Sequence, residues 1–200
     1  VLILNKYPVT LGHMLLISSS WEKQSSWLTR KDFSSISIVE RDLSGLWFFN
    51  SSPKAGASQP HKHFQLLPRL KDELSCPRDN WFKDKLKLRK EGSMILDKNI
   101  HVLERTRYGK RDSDEELYEL YLNLCEIISL GKPENNLAPL NPYNLIFTSS
   151  WIALVRRKRE SYKGFSLNAL GFCGYLLATK ESDIKWLLVN KPIKLLEKVV

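Results

Sequence analysis

The chain has 200 residues, 42% hydrophobic and 26% charged, the make-up of an ordinary globular protein large enough to bury a core. A formal net charge of +9 favours an anionic partner, nucleic acid or polyphosphate, over a basic one. Cys76, Cys125 and Cys173 are too scattered for a disulfide framework or a C-x-x-C zinc site, and no apolar run approaches the ~20 residues that span a bilayer, so a reducing, cytoplasmic setting without a membrane partner is expected.

Residues 1–4 read as an apolar strand, broken at Pro8, and residues 14–18 as its hairpin partner beyond Leu11-Gly12. The chain opens inside that strand without a methionine, so residues are expected to precede it. Thr29 is a capping residue for a helix over 30–42, with Phe33, Ile36 and Leu43 in its apolar stripe and Gly45 beyond its end. Residues 46–50 form a strand ending in Asn50, 51–60 a loop of small residues, and 63–68 the next strand. A basic stretch over 81–90 reads as helical and 99–105 as a strand. Asp112 or Ser113 opens a helix with acidic residues in its first turn, Leu117, Leu120, Tyr121, Leu124 and Ile128 on one face, and a stop at Gly131. A hairpin over 144–148 and 152–155 precedes the basic run Arg156-Arg157-Lys158-Arg159, which reads as a solvated face more readily than as a phosphate clamp. A short strand over 174–179 and helices over 181–189 and 192–200 close the chain. Hairpins alternating with helices predict an α+β domain over 1–200: an antiparallel sheet flanked by helices, with a C-terminal subregion over 140–200.

The stretch "SQPHKHFQLLP" carries the chemistry. On a strand, His61, His63 and Gln65 share one face, each about 6.6 Å from the next, while Lys62, Phe64 and Leu66 face the other way. Gly56, Ala57, Ser58 and Gln59 just before them are small or flexible enough to let backbone amides approach an anion. A neutral imidazole is a competent nucleophile near pH 7, and a glutamine amide can hold a phosphoryl oxygen without carrying charge. The same residues are compatible with half-buried, hydrogen-bonded rings, or with half of a metal site that lacks a nearby carboxylate or thiolate. His13 and His101 stand alone and read as structural.

The longer string "NSSPKAGASQPHKHFQLLP" resembles the active-site segment of the diadenosine polyphosphate phosphorylases, or ATP adenylyltransferases, the transferase branch of the histidine-triad superfamily. "LILNKYPVTLGHMLLIS" is similar to that family's N-terminal hairpin, and "YNLIFTSSWIALVRRKRESYKGFSLNALGFCGYLLA" to its C-terminal region. The resemblance implies a histidine-triad-like fold and phosphorolysis of diadenosine tetraphosphate to ATP and ADP through an adenylyl-histidine intermediate. It implies that His63 is the nucleophile, that Gln65 binds the transferred phosphoryl group and that His61 orients the site. It further implies substrate contacts at Asn5, Lys6, Asn50, Gly56, Ala57, Ser58, Gln59, Asn168, Ala169 and Leu170.

The partners so implied are diadenosine polyphosphates, ATP, ADP and inorganic phosphate, and nucleic acid is not expected. No metal ligands are expected on the chain; magnesium or manganese could accompany the polyphosphate. Family members carry a further segment before the hairpin, which this sequence does not contain. Two rival readings stand beside this one: a nucleotidyltransferase with a sugar-phosphate acceptor, and a nucleotide- or RNA-binding protein without turnover.

Overall fold

A computed structural model describes residues 1–70, 73–87, 98–110 and 112–200. Its centre is a seven-stranded sheet in the order β1-β2-β4-β3-β6-β7-β5, antiparallel at every pairing. The strands are β1 (Leu2–Leu4), β2 (Met14–Ile17), β3 (Gly45–Asn50), β4 (His63–Pro68), β5 (Ile100–Glu104), β6 (Tyr143–Phe147) and β7 (Trp151–Arg156). A two-residue hairpin, β8 (Ser161–Tyr162) with β9 (Phe165–Ser166), was not signalled by the sequence.

Period-two alternation gives the sheet two apolar faces. Trp47, Phe49, Phe64, Leu66, Leu145 and Leu154 face one core, closed by helices α1 (Arg30–Val39) and α3 (Ser113–Ile127). Leu46, Phe48, Ile146, Ala153 and Val155 face the other, closed by α2 (Asp79–Lys87), α4 (Ala169–Cys173) and α5 (Ile184–Glu197).

Several boundaries differ from expectation. Helix α1 stops at Val39, because its last turn tightens: the amides of Asp42 and Leu43 both bond the Val39 carbonyl. Its start is as expected, with the Asp32 carboxylate accepting from the amide and hydroxyl of Thr29. The last three residues of the expected 81–90 helix lie outside the described residues; the described part belongs to α2. No strand forms over 174–179. Asn168 caps α4 and Gly174, at φ +101°, ends it, so the apolar residues after it leave the helix as irregular chain packed on the core edge. The closing helices abut as α5, broken at Lys191 just before Pro192, because proline disfavours α geometry in its predecessor.

The basic run is not a solvated face throughout. Arg157 is buried, and its guanidinium bonds Asn144 Oδ1 at 2.6 Å and the carbonyls of Val199, Arg159 and Leu167. Burial lowers its pKa to about 10, which leaves it charged at neutral pH. It is an internal tie between β7 and the chain entering α4.

Candidate active site

The site lies on the β1-β2-β4 half of the sheet. His63 and Gln65 share one face of β4, as their spacing predicts. Cross-strand pairing sets Gln65 between Leu15 on β2 and Phe48 on β3. His61 falls outside the strand, bridging Lys23 instead. Its ring nitrogen Nε2 meets Ser18 Oγ at 2.9 Å and the Ser20 carbonyl at 3.1 Å, and its ring lies 5.0 Å from that of the exposed Trp21. What His61 presents to His63 is its backbone.

His63 Nδ1 lies 2.8 Å from the His61 carbonyl oxygen. A carbonyl only accepts, so Nδ1 carries the proton and Nε2 keeps the lone pair. Burial lowers the pKa of His63, and the neighbouring His61 lowers it further against the raising effect of that hydrogen bond. The ring therefore favours its neutral form, with the lone pair on Nε2.

Gln24 holds the His63 backbone in place, and nothing in the sequence marks it. Strands β3 and β4 pair as far as Phe48 and Gln65, then part. The buried Gln24 carboxamide enters the opening: Oε1 accepts from His63 N at 2.9 Å and Nε2 donates to the Asn50 carbonyl at 2.7 Å. One side chain thus replaces the missing rung of the ladder. On the other face of the motif, buried Lys62 donates to Glu22 at 2.6 Å and Asp32 at 3.2 Å, tying it to the start of α1.

A second buried network gathers the other candidates. Asn50 Oδ1 accepts from Asn144 Nδ2 at 2.8 Å and from the Ala169 amide at 3.0 Å. Asn144 Nδ2 also donates to the Ala55 carbonyl at 2.8 Å, and its own oxygen accepts from Arg157. With its oxygen committed twice, Asn50 is oriented so that its NH2 group is the end left to donate. Asn168 caps α4 through the Leu170 amide at 2.9 Å. Asn50, Gly56, Asn168, Ala169 and Leu170 are thereby brought together.

Gly56 adopts φ +87°, and a Cβ there would lie 2.6 Å from Asn168 Cβ and 2.9 Å from the Leu167 carbonyl. The loop's glycine serves both a left-handed turn and a close approach. Its amides are less available than its composition suggests. Those of Gly56 and Ala57 bond Pro53 O and Ser52 O, closing the loop on itself. Ser58 and Gln59 are exposed and line a cavity of about 290 Å³ with Gln24, Ser51 and Pro53.

Asn5 and Lys6 stand in the β1–β2 connection. Lys6 is exposed, its Nζ 5.5 Å from the Tyr7 ring centroid. Asn5 reaches His13, and His13 Nε2 lies 3.0 Å from Gln65 Oε1. His13 is therefore part of the site rather than an isolated ring. His13 lies two residues before Leu15, the β2 residue paired with Gln65, and the sequence alone does not signal that long-range pairing.

Residues 1–82 match the family model of the Ap4A phosphorylase N-terminal domain, and residues 96–200 that of the ATP adenylyltransferase C-terminal domain. The chain belongs to the Ap4A phosphorylase and ATP adenylyltransferase family. It is 28% identical over 217 aligned residues to Protein APA1 of Saccharomyces cerevisiae, covering 96% of this chain and 64% of that protein. It is 26% identical over 211 aligned residues to the yeast diadenosine 5',5'''-P1,P4-tetraphosphate phosphorylase 2, covering 92% and 63%. The chain thus spans less than two thirds of either relative. The crystal structure of yeast Ap4A phosphorylase Apa2 with Ap4A shares the fold at a TM-score of 0.72 and 22% identity, over 98% of this chain and 70% of that one. The AMP complex does so at 0.71 and 22%, over 97% and 71%. This family member therefore has an α+β fold built on a largely antiparallel sheet, as expected.

Proposed function

We propose that this chain carries the adenylyl-transfer centre of a diadenosine tetraphosphate phosphorylase, which splits Ap4A with phosphate into ATP and ADP. The observation that carries the reading is the His63 ring itself: it is buried, which lowers its pKa, and its Nδ1 lies 2.8 Å from the His61 carbonyl, which assigns the proton to Nδ1 and the lone pair to Nε2. The names of the yeast relatives, and the Ap4A and AMP in the related structures, support the substrate.

In the first step the Nε2 lone pair attacks one α-phosphorus of Ap4A. The new P–N bond forms as the P–O bond to the remaining polyphosphate breaks, and ATP leaves with that electron pair. No proton moves. The ring becomes a cationic N-phosphoryl imidazole whose Nδ1–H still donates to His61 O, which stabilises the new charge. In the second step an oxygen of inorganic phosphate attacks the same phosphorus, the P–N bond breaks, neutral His63 returns and ADP forms. Gln65 and Asn50, each with its oxygen already engaged, offer NH2 groups to the phosphoryl oxygens.

We propose that any magnesium or manganese arrives with the polyphosphate, whose phosphate oxygens suit hard divalent cations. Three free cysteines fit a reducing compartment such as the cytoplasm, and no described helix is long and apolar enough to cross a membrane.

The test is product analysis with Ap4A, with and without phosphate. ATP and ADP should accumulate together when phosphate is present. AMP as the main product at saturating phosphate would make the protein a hydrolase, and binding without turnover would make it a nucleotide-binding protein.

A further inference from the structure

We infer that His13 is a positioning residue that sets which end of the Gln65 carboxamide faces the substrate. The inference rests on the reading above, in which Gln65 holds the transferred phosphoryl group. It follows from a chain of hydrogen bonds whose direction is fixed at its far end by backbone amides.

The Tyr7 amide donates to Asn5 Oδ1 at 3.0 Å, so the Asn5 oxygen is committed and its Nδ2 is the donor. That Nδ2 lies 3.2 Å from His13 Nδ1. The Val9 amide donates to the same Nδ1 at 3.3 Å. A backbone N–H cannot accept, so Nδ1 bears a lone pair, and the proton of the neutral ring sits on Nε2. Nε2 lies 3.0 Å from Gln65 Oε1 and therefore donates to it. The Gln65 oxygen is turned toward His13 and its NH2 group is turned away; that group makes no hydrogen bond among the described residues. A carboxamide flipped the other way would set NH2 against N–H at His13 and offer an oxygen to an anion.

The surroundings keep His13 in this state. Its side chain is 2% exposed, and its ring lies 5.9 Å from Phe48, the β3 residue paired with Gln65. Burial disfavours the charged ring, and a proton on Nδ1 would point at two donors. The β1–β2 hairpin and its pairing with β4 place the members of the relay: Asn5 N donates to His13 O at 2.8 Å, and Leu15 pairs with Gln65. Asn5 thereby acts through Gln65, and its contribution reaches the phosphoryl group at second hand.

The test is a double-mutant cycle on the first half-reaction, the release of ATP from Ap4A without phosphate. Alone, His13→Phe keeps the ring volume, removes the donor and should lower the rate about tenfold or more, with a smaller change in KM. Gln65→Ala should lower it at least as far, and His13→Phe should then add almost nothing in that background. Equal losses in both backgrounds would overturn the inference, because His13 would then act independently of Gln65. A rate loss in Gln65→Ala with none in His13→Phe would overturn it too, leaving the role of Gln65 intact. No loss in Gln65→Ala would overturn the role of Gln65 itself, and the inference with it. Nitrogen NMR of histidine-labelled wild-type protein tests the relay without a variant. His13 should appear as the Nε2–H tautomer, and an Nδ1–H tautomer would contradict the inference.

Discussion

The Nδ1–H of His63 donates to the carbonyl of His61, two residues back along the same chain, across 2.8 Å. That contact makes a reactive atom out of sequence spacing. It fixes the tautomer, leaves the lone pair on Nε2 and, in the proposed mechanism, supplies an acceptor for the positive charge that adenylylation would create. Burial adds to it by holding the ring neutral.

The first prediction is a pH dependence. His63 and His13 both have pKa values below the ordinary 6.5, chiefly through burial. The folded state therefore resists protons that the unfolded chain takes up near 6.5. This contribution to stability is fully present above that value and is lost as pH falls below it. For activity, neutral His63 should persist down through pH 6.5. The internal phosphates of Ap4A do not titrate in this range, so the acid limb of ATP release without phosphate reports on the protein. Its midpoint should lie below 6.5; a midpoint above 7 would contradict a buried neutral nucleophile.

Gly56→Ala should be severe. The new methyl would sit 2.6 Å from Asn168 Cβ, at a φ of +87°, and would push the 167–170 segment off Asn50. Gly109 is the control, with φ +70° and nothing within 4 Å of an added Cβ. Gly109→Ala should show backbone strain alone, about 1 kcal/mol by denaturant unfolding. Gly56→Ala should lose more than that and should also raise KM for Ap4A. Equal effects at the two positions would mean that the close approach at Gly56 has no consequence.

Gln24 should be sensitive to the loss of a single donor. Gln24→Glu keeps the acceptor for His63 N but sets a carboxylate oxygen against the Asn50 carbonyl, now 2.7 Å from Nε2. The unsatisfied buried group should cost about 1–3 kcal/mol, and the rate of His63 adenylylation should fall with it. Unchanged unfolding and kinetics in Gln24→Glu would show that the wedge between β3 and β4 is dispensable.

Much of this site was readable where the signal is local. The strand starting at His63, the small-residue loop, Asn50 at a strand end and the Thr29 cap all follow from period, turn chemistry or capping. What escaped depends on contacts between distant segments. Gln24 acts by crossing to two strands far along the chain, and His13 matters only because long-range antiparallel pairing brings β2 beside β4. Arg157 looks like part of a surface charge run, yet the carbonyls it ties together exist only once β7 and α4 have docked. The loop's composition suggested an amide cradle, but two of its amides close its own turn, a choice that composition does not reveal.

The central claim is that His63 Nε2 becomes covalently adenylylated. Its most direct test is to mix the protein with Ap4A in the absence of phosphate, quench, digest and locate the modified residue by mass spectrometry. The account predicts one adenylyl group on His63, released as ADP when phosphate is added and absent from His63→Ala. An adenylyl group on His61, or full turnover by His63→Ala, would contradict it.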